Sequence, residues 1–350
     1  MLRHLSLTNY RNHTKFDLEL SEITVLVGKN GAGKTNVLEA IELISSCRSF
    51  RGDNRLELIK FGQDFARVVG DELEVFIQRS PRLTFQVKER GIKRKVADFV
   101  GLLPSVVFSP ESLDIIKGEP KERRRFLDIV ISQRDHKYLR ALQDYKKILT
   151  QRNGLLKILQ GEGAHSTSSG RVDSSQLDFW DDEAAVAAKI ITDARKQAAL
   201  DFSAKINGFY QTISGLKKSI VKIIYHAKAE GDFAAKLRAK RGIDIAAGLT
   251  TSGPHRDDMQ FKLDCLEAEK YASRGELRSI VLALKMAELK YLENGTPPIL
   301  LLDDIFSEFD ADHRAHLYHL IENYQTVITT TDREHLSAEL LTKARVIEVN

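Results

Sequence analysis

Apolar positions divide the 350-residue chain into three textures. At the start, Leu2, Leu5 and Leu7 lead to a turn-like polar block at residues 9–13, and then Phe16, Leu18 and Leu20 alternate with polar residues. Alternation with a period of two predicts strands with one buried face, so residues 1–27 read as strand, turn, strand. Within them, residues 23–27 (ITVLV) are almost wholly apolar and branched, the pattern of a strand buried on both faces. A glycine-rich loop follows at 28–33, and then Val37, Leu38, Ile41 and Ile44 fall at helical spacing. Residues 55–108 hold further short strand patterns (ARVVG, LEVFIQ, LTFQVKE, SVVFS), with a turn expected at residues 89–91.

The second texture is helical. Between Pro120 and Leu159, the residues Leu139, Leu142, Tyr145, Leu149, Leu156 and Leu159 recur at three- and four-residue steps. Pro120 suits a first helical position, and Gly154 is a candidate interruption. A continuous helix of that length would reach roughly 60 Å at about 1.5 Å per residue. Residues 161–176 are Gly/Ser-rich, a loop signature. Beyond them Trp180, Ala184, Ala188, Ile191, Ala198, Phe202, Ile206 and Ile213 predict a second long helix. Two long helices joined by a loop predict an antiparallel hairpin inserted into the chain; an ordinary helical domain gives the same spacing. The third texture, past residue 250, returns to strands and helices, with a helix expected over 279–292 and buried strands at 299–302 and 326–330. No internal repeat is evident. The fold class is therefore α/β, with domains expected at 1–118, 119–245 (the helical insert) and 246–350.

The loop carries the first chemistry. Gly28, Lys29, Asn30, Gly31, Ala32, Gly33, Lys34 and Thr35 match G-x-x-x-x-G-K-[ST], followed by Asn36. Glycines let the backbone curl so that its N–H groups face phosphate oxygens, and the following helix adds its positive N-terminal end. Lys34 is expected on the β- and γ-phosphates of ATP, and Thr35 on magnesium. The apolar strand at 299–302 ends in Asp303 and Asp304, which would bring carboxylates to the same place. Asp303 is expected to support magnesium, and Asp304 to orient or deprotonate a water. A glycine-rich turn without a ligand, and a merely polar strand end, are the plain alternatives.

Composition adds constraint. Apolar residues are 42% and charged residues 29%, a globular mix. The two cysteines, Cys47 and Cys265, form neither a disulfide framework nor a zinc cluster, which points to a reducing compartment. No apolar run nears the roughly 20 residues that span a bilayer, and the opening residues lack a secretory signal, so a cytoplasmic protein is expected. The net charge of +4 is mild, but it is unevenly spread. Residues 121–160 hold eleven Lys or Arg against four Asp or Glu, and residues 215–241 hold eight against two. Residues 88–95 hold five basic residues and one acidic one. Such surfaces hold polyanions, although solvated helix faces have the same composition. Lys93, Arg94, Lys95, Arg123, Arg124, Arg140, Lys146 and Lys147 are the candidate contacts for a polyanion; part of residues 123–125 could instead pair within the fold.

Further motifs resemble ABC-type ATPases. Ser273, Arg274, Gly275 and Glu276 open a helix about where those proteins carry their signature loop, usually Ser-Gly-Gly-Gln. Residues 307–310, ending in Asp310, stand at the D-loop, and residues 329–332 at the switch strand, with Thr331 where histidine is usual. Asp304 stands where most such proteins have Glu. Both departures imply slow hydrolysis, with ATP as a switch. The Q-loop glutamine has no evident counterpart; residues 108–111 are its nearest equivalent. The blocks LRHLSLTNYRNH, LVGKNGAGKTNVLEAI, FSPESLDIIKGEP, YKKILTQRNGLL, SGPHRDD (residues 252–258) and PILLLDDIFSEFD, in this order, resemble the RecF family of bacterial recombination mediators over essentially the whole chain. The resemblance implies an ABC-type head related to SMC heads, without a long coiled coil. It implies an ATP-dependent homodimer sandwiching two nucleotides, each between Lys34 of one subunit and Ser273 of the other. It also implies DNA binding at single-strand gaps, partnership with RecR and RecO, and help in loading RecA. For residues 252–258 no role is derived. Rival readings are a transporter or nuclease-complex head, and a small-molecule kinase. The first would show the switch His and Ser-Gly-Gly-Gln, the second hundreds of coiled-coil residues, and the third a phosphorylated product formed without DNA.

Overall fold

A computed structural model describes residues 1–162, 174–307 and 309–349. Most of the expected loop at 161–176 (residues 163–173) lies outside the described residues, as does Glu308 of the D-loop stretch. Three sheets organise the chain. The central one is parallel, in the order Arg345–Glu348, Ile23–Val27, Thr326–Thr330, Ile299–Asp303, Ser105–Phe108. Ile23–Val27 and the first four residues of Ile299–Asp303 are largely apolar on both faces because both faces are covered. Val25, Leu300 and Ile328 join one core with Ile280 and Leu284 of the helix Arg274–Leu292. Leu26, Leu301 and Val327 join another, with Val37, Ile41 and Ile44 of the helix Lys34–Ser46.

That second core is closed by a six-stranded antiparallel sheet in the order His13–Glu19, His4–Tyr10, Phe65–Gly70, Leu73–Gln78, Thr84–Glu89, Ile92–Arg94. Leu5, Val68 and Val75 supply its inner face. The expected turn after Glu89 is a two-residue one, with Arg90 at φ 52° and Gly91 at φ 77°, the left-handed pair that suits strand twist.

The helical region departs from expectation in one place. The chain forms two helices, Pro120–Arg134 and His136–Glu162, and breaks at Asp135 rather than at Gly154. Asp135 is extended (φ −126°, ψ 99°), and its carboxylate accepts the Tyr138 N–H at 3.0 Å, capping the next helix. Gly154 is carried through inside a helix whose neighbour Leu156 is fully buried. The helix Gln176–Ser214 runs antiparallel to His136–Glu162. Arg195 meets Tyr138 at 2.9 Å near one end, and Arg152 meets Asp181 at 2.7 Å nearer the other. The expected boundary at 245/246 is crossed by a third sheet, in which Val221–His226 pairs with Asp258–Leu263. No helix among the described residues is long and apolar enough to cross a membrane.

Candidate nucleotide site

Parallel strands deliver their following loops to one edge of a sheet, and that is where ligands bind in such folds. Here Val27 pairs with Thr330, and Thr329 with Asp303, so the glycine-rich loop, the paired aspartates and Thr331 emerge side by side. The loop's shape demands its glycines. A side chain on Gly28 would stand 2.2 Å from the Val349 carbonyl. Gly33 has φ 101°, and a Cβ there would stand 2.5 Å from the His13 ring and 2.6 Å from Asn12. The helix Lys34–Ser46 begins with no side-chain cap and no acidic residue in its first turn. Its first N–H groups are thus left for an anion.

Lys34 is buried and curls over the loop, donating to the carbonyls of Gly28 at 2.7 Å and Lys29 at 2.9 Å. Thr35 donates to Asp303 Oδ1 at 2.9 Å, and the Thr329 hydroxyl donates to the same oxygen at 2.6 Å. Burial raises the Asp303 pKa, and the hydrogen bonds from Thr329 and Thr35 oppose that. The neighbouring charges of Glu111 and Asp304 also raise it. Asp304 is left-handed at φ 49°, a costly conformation for a residue with a side chain. It is held by its own N–H, which reaches the Thr329 carbonyl at 3.2 Å and the Thr329 hydroxyl at 3.0 Å. Its Oδ1 is buried with no partner among the described residues. An orphaned carboxylate oxygen on a strained residue makes Asp304 a candidate functional position.

These groups line one cavity of about 320 Å³, together with Asn30, Gly31, Asn36, Asn12, Arg51 and Thr331. Three of its functional neighbours escaped sequence reasoning. Asn12 donates to the Gly31 carbonyl at 3.3 Å and accepts from Asn36 at 2.7 Å. Arg51 donates to Asn36 at 2.7 Å, and Thr329 ties both aspartates. Asn12 lay in the polar block read as a turn; nothing in its spacing singles out Arg51. The donor set suits magnesium, which takes one or two protein oxygens and completes its shell with phosphate and water. Among the described residues there is no cluster of three or more His, Cys, Asp or Glu.

Ser273, Gly275, Glu276 and Asp310 do not line this cavity. Ser273 caps the helix Arg274–Leu292 in a reciprocal box: its N–H donates to Glu276 at 2.7 Å, and its hydroxyl accepts from the Glu276 N–H at 3.3 Å. Gly275 is exposed, with open space where a Cβ would be. Asp310 caps the helix Ala311–Ile321 through the His313 N–H at 3.0 Å and meets the His313 ring at 2.7 Å.

The "RecF/RecN/SMC N terminal domain" family model matches residues 1–349. The "DNA replication and repair protein RecF" of Roseiflexus castenholzii is 36% identical, over 98% of this chain and 96% of the relative. The chain belongs to the RecF family. A solved structure described as the recombination mediator protein RecF-ATP in the RecFOR pathway superposes with a TM-score of 0.85 at 30% identity, over 96% of this chain and 93% of that one. An Smc head domain from Pyrococcus furiosus superposes at 0.52 with 18% identity, over 99% of this chain and 92% of that one. That likeness shows the fold alone: an α/β head with a helical insertion, as the sequence predicts.

The candidate DNA contacts of this RecF-family chain separate into two groups. Lys93, Arg94 and Lys95 are exposed at the end of the antiparallel sheet, with Arg94 paired to Glu89 at 2.9 Å. Lys146 and Lys147 are exposed on a helix, Lys147 being 3.1 Å from Asp144, and Arg140 is exposed beside Asp98. Arg123 does not belong with them. It is buried, donates twice to Asp258 at 2.7 and 3.2 Å, and donates to the Gly118 carbonyl at 2.7 Å. A guanidinium so committed has no free donor face for a phosphate. Arg124 is half-buried and donates to the Asp257 carbonyl at 2.7 Å. Arg125 is bonded to Asp53 and to the Ser49 carbonyl.

Proposed function

We propose that this protein is an ATP-binding, slowly hydrolysing member of the DNA replication and repair machinery, working as an ATP-gated DNA-binding homodimer. The observation that carries the reading is Asp304, strained and with an unbonded carboxylate oxygen, beside an uncapped helix N-terminus and a threonine-held Asp303. Residues 28–36 would cradle the phosphates of ATP, and Lys34 would exchange its loop carbonyls for phosphate oxygens. Thr35 and Asp303 would hold magnesium, which when bound neutralises phosphate charge. Asp304 would take the proton of an attacking water. Thr331 has no imidazole to assist, which favours slow turnover; steady-state hydrolysis in the tens per second would rule that out.

The dimer reading rests on a gap in the site. Ser273, Gly275, Glu276 and Asp310 stand outside the cavity of their own chain, and a second copy supplies equivalents from the other side. In domain terms, residues 1–118 and 246–350 build the head and 119–245 the helical insert, with Val221–His226 packed into the head's edge. Lys93, Arg94, Lys95, Arg140, Lys146 and Lys147 are offered as DNA contacts, their effect salt-sensitive and largely independent of sequence. Single-strand gaps as the DNA target, RecR and RecO as partners, RecA loading as the outcome and a cytoplasmic, nucleoid-associated location follow from the family. Sedimentation with gapped duplex, with and without ATP and magnesium, tests the reading. ATP-driven conversion of monomers to DNA-bound dimers supports it; DNA binding that is absent or indifferent to ATP removes it.

A further inference from the structure

Residues 252–258 (SGPHRDD) stand apart from the nucleotide cavity, yet almost every side chain in them is pinned. Lys240 donates to the Ser252 hydroxyl at 2.8 Å. Gly253 has φ 136°, and a Cβ there would lie 2.1 Å from the Tyr145 hydroxyl, so no side chain fits. The Pro254 carbonyl accepts from the buried Arg195 at 2.8 Å. The His255 ring is clamped at both nitrogens, by Tyr145 at 3.0 Å and by the Thr250 carbonyl at 3.0 Å. A carbonyl only accepts, so Nε2 carries the proton and Nδ1 receives the tyrosine hydroxyl. Burial lowers the His255 pKa, in keeping with a neutral ring. Asp257 is wholly buried and accepts from Tyr225 and from the Lys228 N–H. Asp258 is held by Arg123.

Arg256 is the exception. It is exposed, and its guanidinium is bonded to no carboxylate among the described residues. The same turn fixes two more cations. Arg124 is anchored by the Asp257 carbonyl, and Lys228 by its own N–H on the Asp257 side chain, while the exposed Lys228 ammonium has no bonded carboxylate among the described residues. The carboxylates nearby are already taken: Asp128 by Arg195, Asp258 by Arg123, and Glu230 by Lys196 at 2.6 Å. Three cations are thus attached to one rigid turn: Asp258, Asp128 and Asp257 act on Arg124, whereas the Arg256 guanidinium and the Lys228 ammonium are bonded to no carboxylate among the described residues. Guanidinium forks match phosphate oxygens, and a turn this constrained loses little further entropy when it binds.

We propose that Arg124, Lys228 and Arg256 form a phosphate-binding site for the sugar–phosphate backbone of DNA, and that the rest of the SGPHRDD turn is its scaffold. The site rests on the DNA-binding reading above and adds a contact region away from the hairpin at residues 93–95. Fluorescence anisotropy with labelled duplex, over a series of salt concentrations, tests it. Arg256→Ala and Lys228→Ala remove no internal side-chain bond, so both should keep the wild-type unfolding midpoint. Each should make the slope of log K against log salt shallower by about 0.9, and the double variant by about 1.8. A Lys343→Ala control, at an ion pair with Glu339, should leave the slope as it was. If wild type binds DNA with a steep slope and both variants match it, this site is wrong while the DNA-binding reading survives. If wild type fails to bind DNA at all, both fall together.

Discussion

Thr329→Val tests how the site is held together. Valine keeps the shape of threonine and its strand preference, so the fully buried strand Thr326–Thr330 should form unchanged. What disappears is one hydroxyl with two roles. It donates to Asp303 at 2.6 Å, and its oxygen accepts the Asp304 N–H at 3.0 Å. A hydrogen bond to a charged partner is worth about 1.5–3 kcal/mol. The Asp304 amide keeps a second acceptor, the Thr329 carbonyl at 3.2 Å, so its share of the loss is small. The expected loss of stability is therefore about 2 kcal/mol. Asp303 would keep only Thr35 as a partner while remaining buried, so its pKa should rise further. Both effects weaken the carboxylate proposed to hold magnesium, and about 1.4 kcal/mol of lost stabilisation is tenfold in rate. ATP hydrolysis at saturating nucleotide should fall at least tenfold, and Thr329→Ser, which restores the hydroxyl, should recover most of it. A valine variant that hydrolyses within twofold of wild type would refute the argument that Thr329 orders the two aspartates.

Three other expectations follow from single groups. Asp304→Asn should cut single-turnover hydrolysis at least tenfold while equilibrium ATP binding and stability hold, since its Oδ1 makes no bond to lose; a large drop in stability instead would mean a structural residue. Gly33→Ala combines a left-handed φ with contacts of 2.5 and 2.6 Å, so ATP affinity should fall at least tenfold, and calorimetric titration showing normal affinity would contradict the loop geometry. Glu42 faces a second cavity, of about 440 Å³, and burial pushes its pKa up to about 8. Because the folded value is raised, its stabilising contribution is full below the unfolded carboxyl pKa and is lost as pH climbs through about 8. Wild type should lose roughly 1.4 kcal/mol per pH unit from this group across that window, and Glu42→Gln should flatten the slope in urea unfolding; parallel slopes would count against it.

Sequence was most informative where one physical requirement dominates. Ile299–Leu302 is buried on both faces of its sheet, and its unbroken apolar run meets that requirement directly. The phosphate loop was legible because its turns exclude any residue but glycine at Gly28 and Gly33. Where two requirements compete, reading failed. Gly154 disfavours helix on its own, but the buried flank of the helix overrides it, while Asp135 breaks the chain because its carboxylate caps Tyr138. An aspartate three residues before an apolar helical position was the available sign. Arg123 sat in a basic run that looked solvent-facing, and its commitment to Asp258, 135 residues away, left no local trace. Arg51 and Thr329 were silent for the same reason: each acts through a partner distant in sequence, Asn36 or Asp303.

The order of the central sheet bears on how the molecule comes into being on the ribosome. Ile23–Val27, which launches the phosphate loop, has two sheet neighbours, Thr326–Thr330 and Arg345–Glu348. Both are made last. Until about three hundred further residues have been polymerised, this strand has no parallel partner, and the loop after it has no aspartates to face. Long-range parallel pairing is slow and leaves unpaired edges exposed in the meantime. A nascent or truncated chain therefore carries the phosphate-loop sequence without the capacity to use it, and competence for nucleotide arrives late in synthesis, when the chain's two ends meet.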